Sequence, residues 1–301
     1  MKITEFSADG LPSLGIGGLE YFHIAQIFDC GQCFRFEPVT SPAHRADFEG
    51  VAYGRWIRVG QDAPDEITLY NVTAEDFERI WRRYFALDAD YGAIRRDIAA
   101  RFGAASHGCE GVMTRAMEYG AGIRVLRQEP WETVCSFIIS QNNNIPRIKK
   151  IIAALSEAYG ARIETPLGTR YAFPTASALA EAGTDAIFAL RTGFRAKYLY
   201  DAAVRVSTGA FDCEAVSSAS AEDAMARLME IKGIGPKVAS CAMLFGFDKT
   251  EAFPVDVWMK RVLAKYYPCG LDVAALGQYA GIAQQYLFYF ERWEREHVLE
   301  D

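Results

Sequence analysis

Around residue 73 the hydrophobic pattern of the chain changes period, and that change sets the class of fold. Upstream lie "EYFHIAQIFDCGQCFRFEPV" (20–39), "ADFEGVAYGRWIRVG" (46–60) and "DEITLYNV" (65–72). These are short runs rich in aromatic and β-branched residues, separated by Gly, Pro and Asp turns. No crossover helix interrupts them, so they read as an antiparallel sheet. Thr73 then caps a helix on which Phe77, Ile80, Trp81, Tyr84 and Phe85 share one face, predicting a helix that covers one side of the sheet. From about residue 90 the pattern is helical. "AIRRDIAARFG" and "VMTRAMEYG" end in glycine, and "PWETVCSFIIS" opens with proline and breaks at "QNNN". "IPRIKKIIAALSEAYG" restarts with Pro146 in its first turn and stops at Gly160. The class is therefore α+β. An N-terminal antiparallel β-sheet domain with its covering helix is expected over 1–105, followed by an all-α region over 106–301.

Composition narrows the function less than the fold. The 301 residues can bury a sizeable core, and no hydrophobic run, "VCSFII" (134–139) included, approaches a bilayer span. With no apolar leader at the N-terminus, a cytoplasmic protein without membrane contact is expected. Seven scattered cysteines (30, 33, 109, 135, 213, 241 and 269) point to free thiols in a reducing compartment. Cys30 and Cys33 have C-x-x-C spacing, but no second pair or histidine cluster stands at zinc-site distance, so neither a metal nor a redox role is expected. The net charge of −7 discourages a nucleic-acid partner. Its distribution reopens the question. Arg191, Arg195, Lys197 and Arg205 face only Asp201 within 191–205, and 227–265 carries seven Lys or Arg against four acids. The acid gathers elsewhere, as in the tail "ERWEREHVLED" (291–301).

"IKGIGPKVASC" (231–241) carries the first chemistry. A phosphate-binding P-loop needs a different glycine spacing and a preceding strand, whereas "EDAMARLMEI" before it is helical. Helix, tight turn at Gly233 and Gly235, then a helix opened by Pro236 is a helix-hairpin-helix. Its exposed amides at the new helix start suit a DNA phosphate. An ordinary packing corner fits the same residues. Further along, "FPVDVW" (253–258) sets Asp256 between two valines, beside Phe253 and Trp258. An N-cap aspartate explains it, and a helix mouth is also where sites form, so capping and catalysis are compatible.

Together these stretches resemble the helix-hairpin-helix, Gly/Pro…Asp (HhH-GPD) superfamily of base-excision DNA glycosylases. "GQCFRF" (31–36), "SQNNNIPRI" (140–148), "TGFRAKY" (192–198) and "GIAQQYLF" (281–288) are similar to its 8-oxoguanine DNA glycosylase/AP lyase branch in particular. The resemblance runs from about residue 12 to residue 290. It implies two helical subdomains within 106–301 and an active-site cleft between them. Lys237 matches the amine that attacks the sugar C1′, forms a Schiff base and allows β-elimination. A lysine can do this only while uncharged, which desolvation or nearby positive charge favours. Asp256 matches the carboxylate that stabilises the cationic sugar. For the flipped base, the resemblance assigns the N7–H to the Gly31 carbonyl, the two faces to Cys241 and Phe288, and the Watson–Crick edge to Gln284. Asn142, Arg147 and Arg195 would read the estranged cytosine, with Phe194 as the wedge.

Three positions depart from the family pattern. Phe194 stands where many relatives have tyrosine, Trp258 where a histidine usually lies near a phosphate, and Glu291 where an aspartate often assists. Only Cys269 lies beyond Cys241, so no C-terminal iron–sulfur cluster is expected, and no other metal or cofactor. The implied partner is double-stranded DNA containing 8-oxoguanine, bound by a monomer in the nucleoid or nucleus. A glycosylase for a different base, or a non-catalytic helix-hairpin-helix DNA binder, remains open.

Overall fold

The computed structural model describes residues 1–298, so the end of the acidic tail, 299–301, lies outside the described residues. Six strands form one antiparallel sheet in the order β1-β2-β6-β5-β4-β3. They are β1 (Lys2–Ala8), β2 (Leu11–Gly17), β3 (Phe36–Pro38), β4 (Ala46–Ala52), β5 (Arg55–Ala63) and β6 (Glu66–Tyr70). Tight turns close two of the hairpins. Asp9 and Gly10 have φ of 53° and 75°, and Tyr53 and Gly54 have 52° and 67°. Two successive positive φ values match the right-handed twist of the strands they join. Register then aligns the apolar face: Leu14 lies opposite Leu69, Ile16 opposite Ile67, and Val59 opposite Leu69. Because side chains alternate, one sheet face carries these residues into a single buried cluster.

The covering helix spans 74–84, and Thr73 Oγ1 caps it by accepting from the Asp76 amide at 3.1 Å. It widens into a π turn at Phe77–Trp81. Phe77, Trp81, Tyr84 and Phe85 are buried in the sheet cluster, and Ile80 packs against it. The strand reading of 20–39 needs correction. Ile24–Asp29 is a helix, and only Phe36–Pro38 pairs as strand. Ile24, Ile27 and Phe28 are its buried residues, a spacing of three and one that fits a helical face. Aromatic and β-branched content masks that spacing in the sequence.

The remaining helices share a second cluster. Tyr91–Ala105 belongs to it through Ile94, Ile98 and Phe102, although a boundary at residue 105 would assign that helix to the sheet domain. The helical region is not wholly α. Arg162–Thr165 (β7) and Gly168–Tyr171 (β8) form a small antiparallel hairpin. "RIETPLGTRY" alternates in character around a Pro-Leu-Gly turn, and Gly168 takes φ 96° there. Arg170 ties this hairpin back to the first sheet through Glu49 at 2.7 Å. Among the described residues no helix is long and apolar enough to cross a membrane.

Candidate active site

The hairpin lies between helices Ala221–Met229 and Pro236–Gly246. Gly233 has φ 84°, and a Cβ there would come within 2.4 Å of the Tyr198 ring, so both its conformation and its neighbour require glycine. Gly235 is the N-cap residue and Pro236 opens the helix. The Lys232 amide donates to Asp201 Oδ2 at 2.9 Å, fixing the turn to helix Ala196–Ser207. After Lys237 the helix is almost entirely buried, from Val238 to Gly246, against helix Pro130–Ser140. Phe137 and Phe245 stack there with ring centroids 5.3 Å apart.

Lys237 is the half-buried cation of this helix. Its Nζ donates to Ser140 Oγ at 3.4 Å and stands 5.7 Å from the centroid of the Phe137 ring. The amine therefore has protein on one side. Asp256 is the N-cap of helix Val257–Tyr266 and accepts from the Met259 amide at 2.9 Å. Cys241 lies one helical turn beyond Lys237. Burial pushes its thiol up to about 11, Lys237 pulls it down through charge and a hydrogen bond, and Asp256 pushes it up. Lys237 and Cys241, four residues apart, thus share one face of this helix.

The base-binding candidates assemble beside it. A Cβ on Gly31 would lie 3.2 Å from Phe288 Cε1, so this backbone turn and that ring are in contact distance. Trp258, two residues past Asp256, meets Phe288 edge-on at 6.4 Å and 75°. Gln284 sits one turn before Phe288, is 4% exposed, and its Oε1 is a buried acceptor without a hydrogen-bond partner.

The "QNNN" turn gathers the third group. Asn142 is exposed with φ 46°, and Asn144 Oδ1 accepts from the Arg147 amide at 3.0 Å to start helix Ile145–Tyr159. Arg195 is 2% exposed. It donates to the Gln141 carbonyl from Nε at 2.9 Å, to the Asn142 carbonyl at 2.9 Å and to the Thr192 carbonyl at 3.2 Å. Burial, then the nearby Arg147, lowers its pKa from the ordinary guanidinium value. Its guanidinium thus fastens the turn that carries Asn142. Phe194 is 49% exposed, with that guanidinium 4.5 Å from its centroid and the Tyr198 ring 6.0 Å away. Tyr198 in turn covers Gly233, so the exposed aromatic and the hairpin are mechanically joined. Exposed Arg147 reaches the Arg191 carbonyl at 3.4 Å.

Trp258 also receives Arg261, whose guanidinium is 5.4 Å from its centroid, and buried Glu291 pairs with Lys265 at 3.2 Å. Cys30 and Cys33 are both buried free thiols, raised by burial, Cys30 to about 12. Among the described residues no three His, Cys, Asp or Glu are grouped to hold a metal ion. The sequence did not single out Ser140, Gln32 or Gln285. Ser140 is marked only by ending the helix before "QNNN", and Gln32 and Gln285 only by adjoining Gly31 and Gln284 in the chain.

Comparison with known proteins places the chain in a family. The model described as 8-oxoguanine DNA glycosylase, N-terminal domain, matches residues 18–134. That of the HhH-GPD superfamily base excision DNA repair protein matches 135–272. The N-glycosylase/DNA lyase of Saccharomyces cerevisiae is 38% identical over 158 residues, 48% of this chain and 42% of that protein. The Arabidopsis thaliana N-glycosylase/DNA lyase OGG1 is 32% identical over 191 residues, 56% and 52% of the two. The chain thus spans about half the length of the curated relatives it matches. Among solved structures, apo 8-oxoguanine glycosylase/lyase of Clostridium acetobutylicum is 35% identical with a TM-score of 0.87, covering 96% of this chain and 99% of that one. The same enzyme with double-stranded DNA containing cytosine opposite 8-oxoG is 34% identical with a TM-score of 0.87, covering 98% and 99%. With adjoining family matches and a likeness of this extent, the chain belongs to the 8-oxoguanine DNA glycosylase family of the HhH-GPD superfamily.

Proposed function

We propose that this chain is a bifunctional DNA glycosylase and AP lyase that excises 8-oxoguanine, preferentially opposite cytosine, from double-stranded DNA. The observation that carries the reading is Lys237, half-buried on the helix after the hairpin with its Nζ against Ser140 and Phe137, together with Asp256 at the mouth of helix Val257–Tyr266. Such a pair suits a reaction in which an amine attacks while positive charge develops on a sugar. The Lys237 Nζ lone pair forms a bond to C1′ as the glycosidic bond breaks, its electrons leaving with the base. Asp256 stabilises the oxocarbenium-like sugar and assists the proton transfers. Ring opening gives the Schiff base, loss of a C2′ proton expels the 3′ phosphate, and water then frees the lysine.

The extruded base lies between Cys241 and Phe288, its Watson–Crick edge at Gln284 and its N7–H at the Gly31 carbonyl. The unpartnered Gln284 Oε1 supports this placement. Asn142 and Arg147 meet the estranged cytosine, Phe194 wedges the neighbouring step, and the amides around Gly233 and Gly235 grip a phosphate. Arg195, expected from the sequence to read that base, instead holds the turn that carries Asn142, because its guanidinium is spent on carbonyls. The division of labour between a sheet domain over 1–105 and two helical subdomains over 106–301 belongs to the same reading. So do action as a monomer and residence with the genome, nucleoid or nucleus.

Incubation with duplexes bearing 8-oxoguanine, uracil or an abasic site, followed by borohydride, tests it. The expected result is a covalent adduct on the 8-oxoguanine:cytosine duplex that disappears in Lys237→Gln. Adducts confined to other lesions would make this a glycosylase for a different base, and none on any duplex would leave a DNA binder.

A further inference from the structure

The stretch Cys30-Gly31-Gln32-Cys33 has an uneven distribution of main-chain partners. The Asp29 carbonyl accepts from Arg292 at 2.6 Å, the Cys30 carbonyl from buried Gln285 Nε2, and the Gln32 carbonyl from Gln128 Nε2 at 2.7 Å. The Gln32 side chain, 1% exposed, donates to the Ile27 and Arg124 carbonyls, each at 2.9 Å, and accepts from the Leu126 amide at 2.7 Å. Among the described residues the Gly31 carbonyl alone in this run from Asp29 to Gln32 has no partner. Gly31 also has φ 76°, a region where a glycine backbone turns over at little cost.

That freedom matters for selectivity. 8-Oxoguanine presents a donor at N7, and guanine presents an acceptor at the same atom. A Gly31 carbonyl facing the base favours the lesion. If the Gly31–Gln32 peptide flipped, the Gln32 N–H would face the base instead and would favour undamaged guanine. We infer that Gln285 and Gln128 are specificity-positioning residues. By holding the carbonyls on either side of Gly31, they prevent this flip and keep an acceptor opposite N7. The proposal rests on Gly31 as the reader of N7, and it gives the C-x-x-C stretch a role as a clamped turn.

Lys237→Gln, which should bind without cutting, is titrated with duplexes carrying 8-oxoguanine or guanine opposite cytosine. The same protein bearing Gln285→Met or Gln128→Ala is then compared, and cleavage of a pre-formed abasic site is measured with Lys237 intact. Loss of one clamping hydrogen bond should narrow the 8-oxoguanine:guanine affinity ratio by about five- to tenfold, with abasic cleavage changed less than about twofold. Gln128 is only half-buried, so Gln128→Ala keeps the test available if Gln285→Met does not fold. An unchanged ratio in a folded variant overturns the proposal. So does a fall in abasic cleavage that matches the loss of lesion binding, because the glutamines would then be merely structural. If the unsubstituted site does not prefer 8-oxoguanine, the parent reading fails before any clamp is altered, and this proposal with it.

Discussion

One substitution can separate the two tasks proposed for Asp256. Its Oδ1 caps the Met259 amide, and its charge acts on the site around Cys241. Asparagine caps a helix about as well as aspartate, so Asp256→Asn should leave stability within about 0.5 kcal/mol of the parent. Alanine should cost about 1 kcal/mol through the lost cap. Both should lower single-turnover excision by about 10²- to 10³-fold, the scale of a removed electrostatic stabiliser. Melting curves alongside excision rates check this, and an Asp256→Asn protein of normal activity would reduce the residue to a cap. The candidate site was legible where a residue's setting is local. Lys237 after a glycine turn and an aspartate among apolar neighbours can both be seen in a linear string. The partners of Arg195 were not legible, because nothing within "TGFRAKY" shows that its guanidinium will be sealed against carbonyls more than fifty residues away. Ser140 was missed for the same reason: its hydroxyl meets Lys237 only after two helices pack.

Elements fail differently from residues, and helix Pro130–Ser140 shows where. It carries Phe137 and Ser140 to Lys237, and it begins at Glu129, whose carboxyl is raised to about 7 by burial and then by Glu132, with Arg35 opposing. The unfolded chain releases this proton near 4.5, so stability present below that pH is lost progressively as pH rises toward about 7. Glu129→Gln should flatten this slope and raise the melting temperature above pH 7, with little change near pH 4. A variant with the parent's pH profile would show that the carboxyl does not titrate where its burial places it. The boundaries of this helix and of Pro236–Gly246 were readable because Pro and Gly punctuate their ends. Ile24–Asp29 was not, since a six-residue run with Ile24, Ile27 and Phe28 as its large apolar members satisfies strand composition and helical spacing equally. The hairpin at 162–171 was hidden by its length. Two four-residue strands carry too few alternations to stand out in a helical background, and their anchor, Glu49, lies in the first sheet.

A chain with a net charge of −7 can hold DNA only if its charges are segregated, so the pairing of its cations matters. Away from the hairpin, Arg82 is bracketed by Glu78 and Asp88, Arg101 pairs with Asp97, and Arg162 with Glu164. Around the candidate site, exposed Arg147, Arg191, Lys197, Lys232 and Lys260 form no ion pair among the described residues. With a screening length of about 8 Å at physiological salt, distant carboxylates hardly reduce that local field. If these five cations each neutralise one phosphate, log affinity should fall with log salt at a slope of roughly −4.5, about 500-fold between 50 and 200 mM. Lys232→Glu with Lys260→Glu should make the slope shallower by about 2, while the preference between lesion and undamaged duplex is kept, because phosphate contacts carry no base information. Titration of Lys237→Gln against one duplex over a salt series measures both. A slope near zero would mean that the unpaired cations do not face the backbone, and the hairpin would then have to grip DNA through its amides alone.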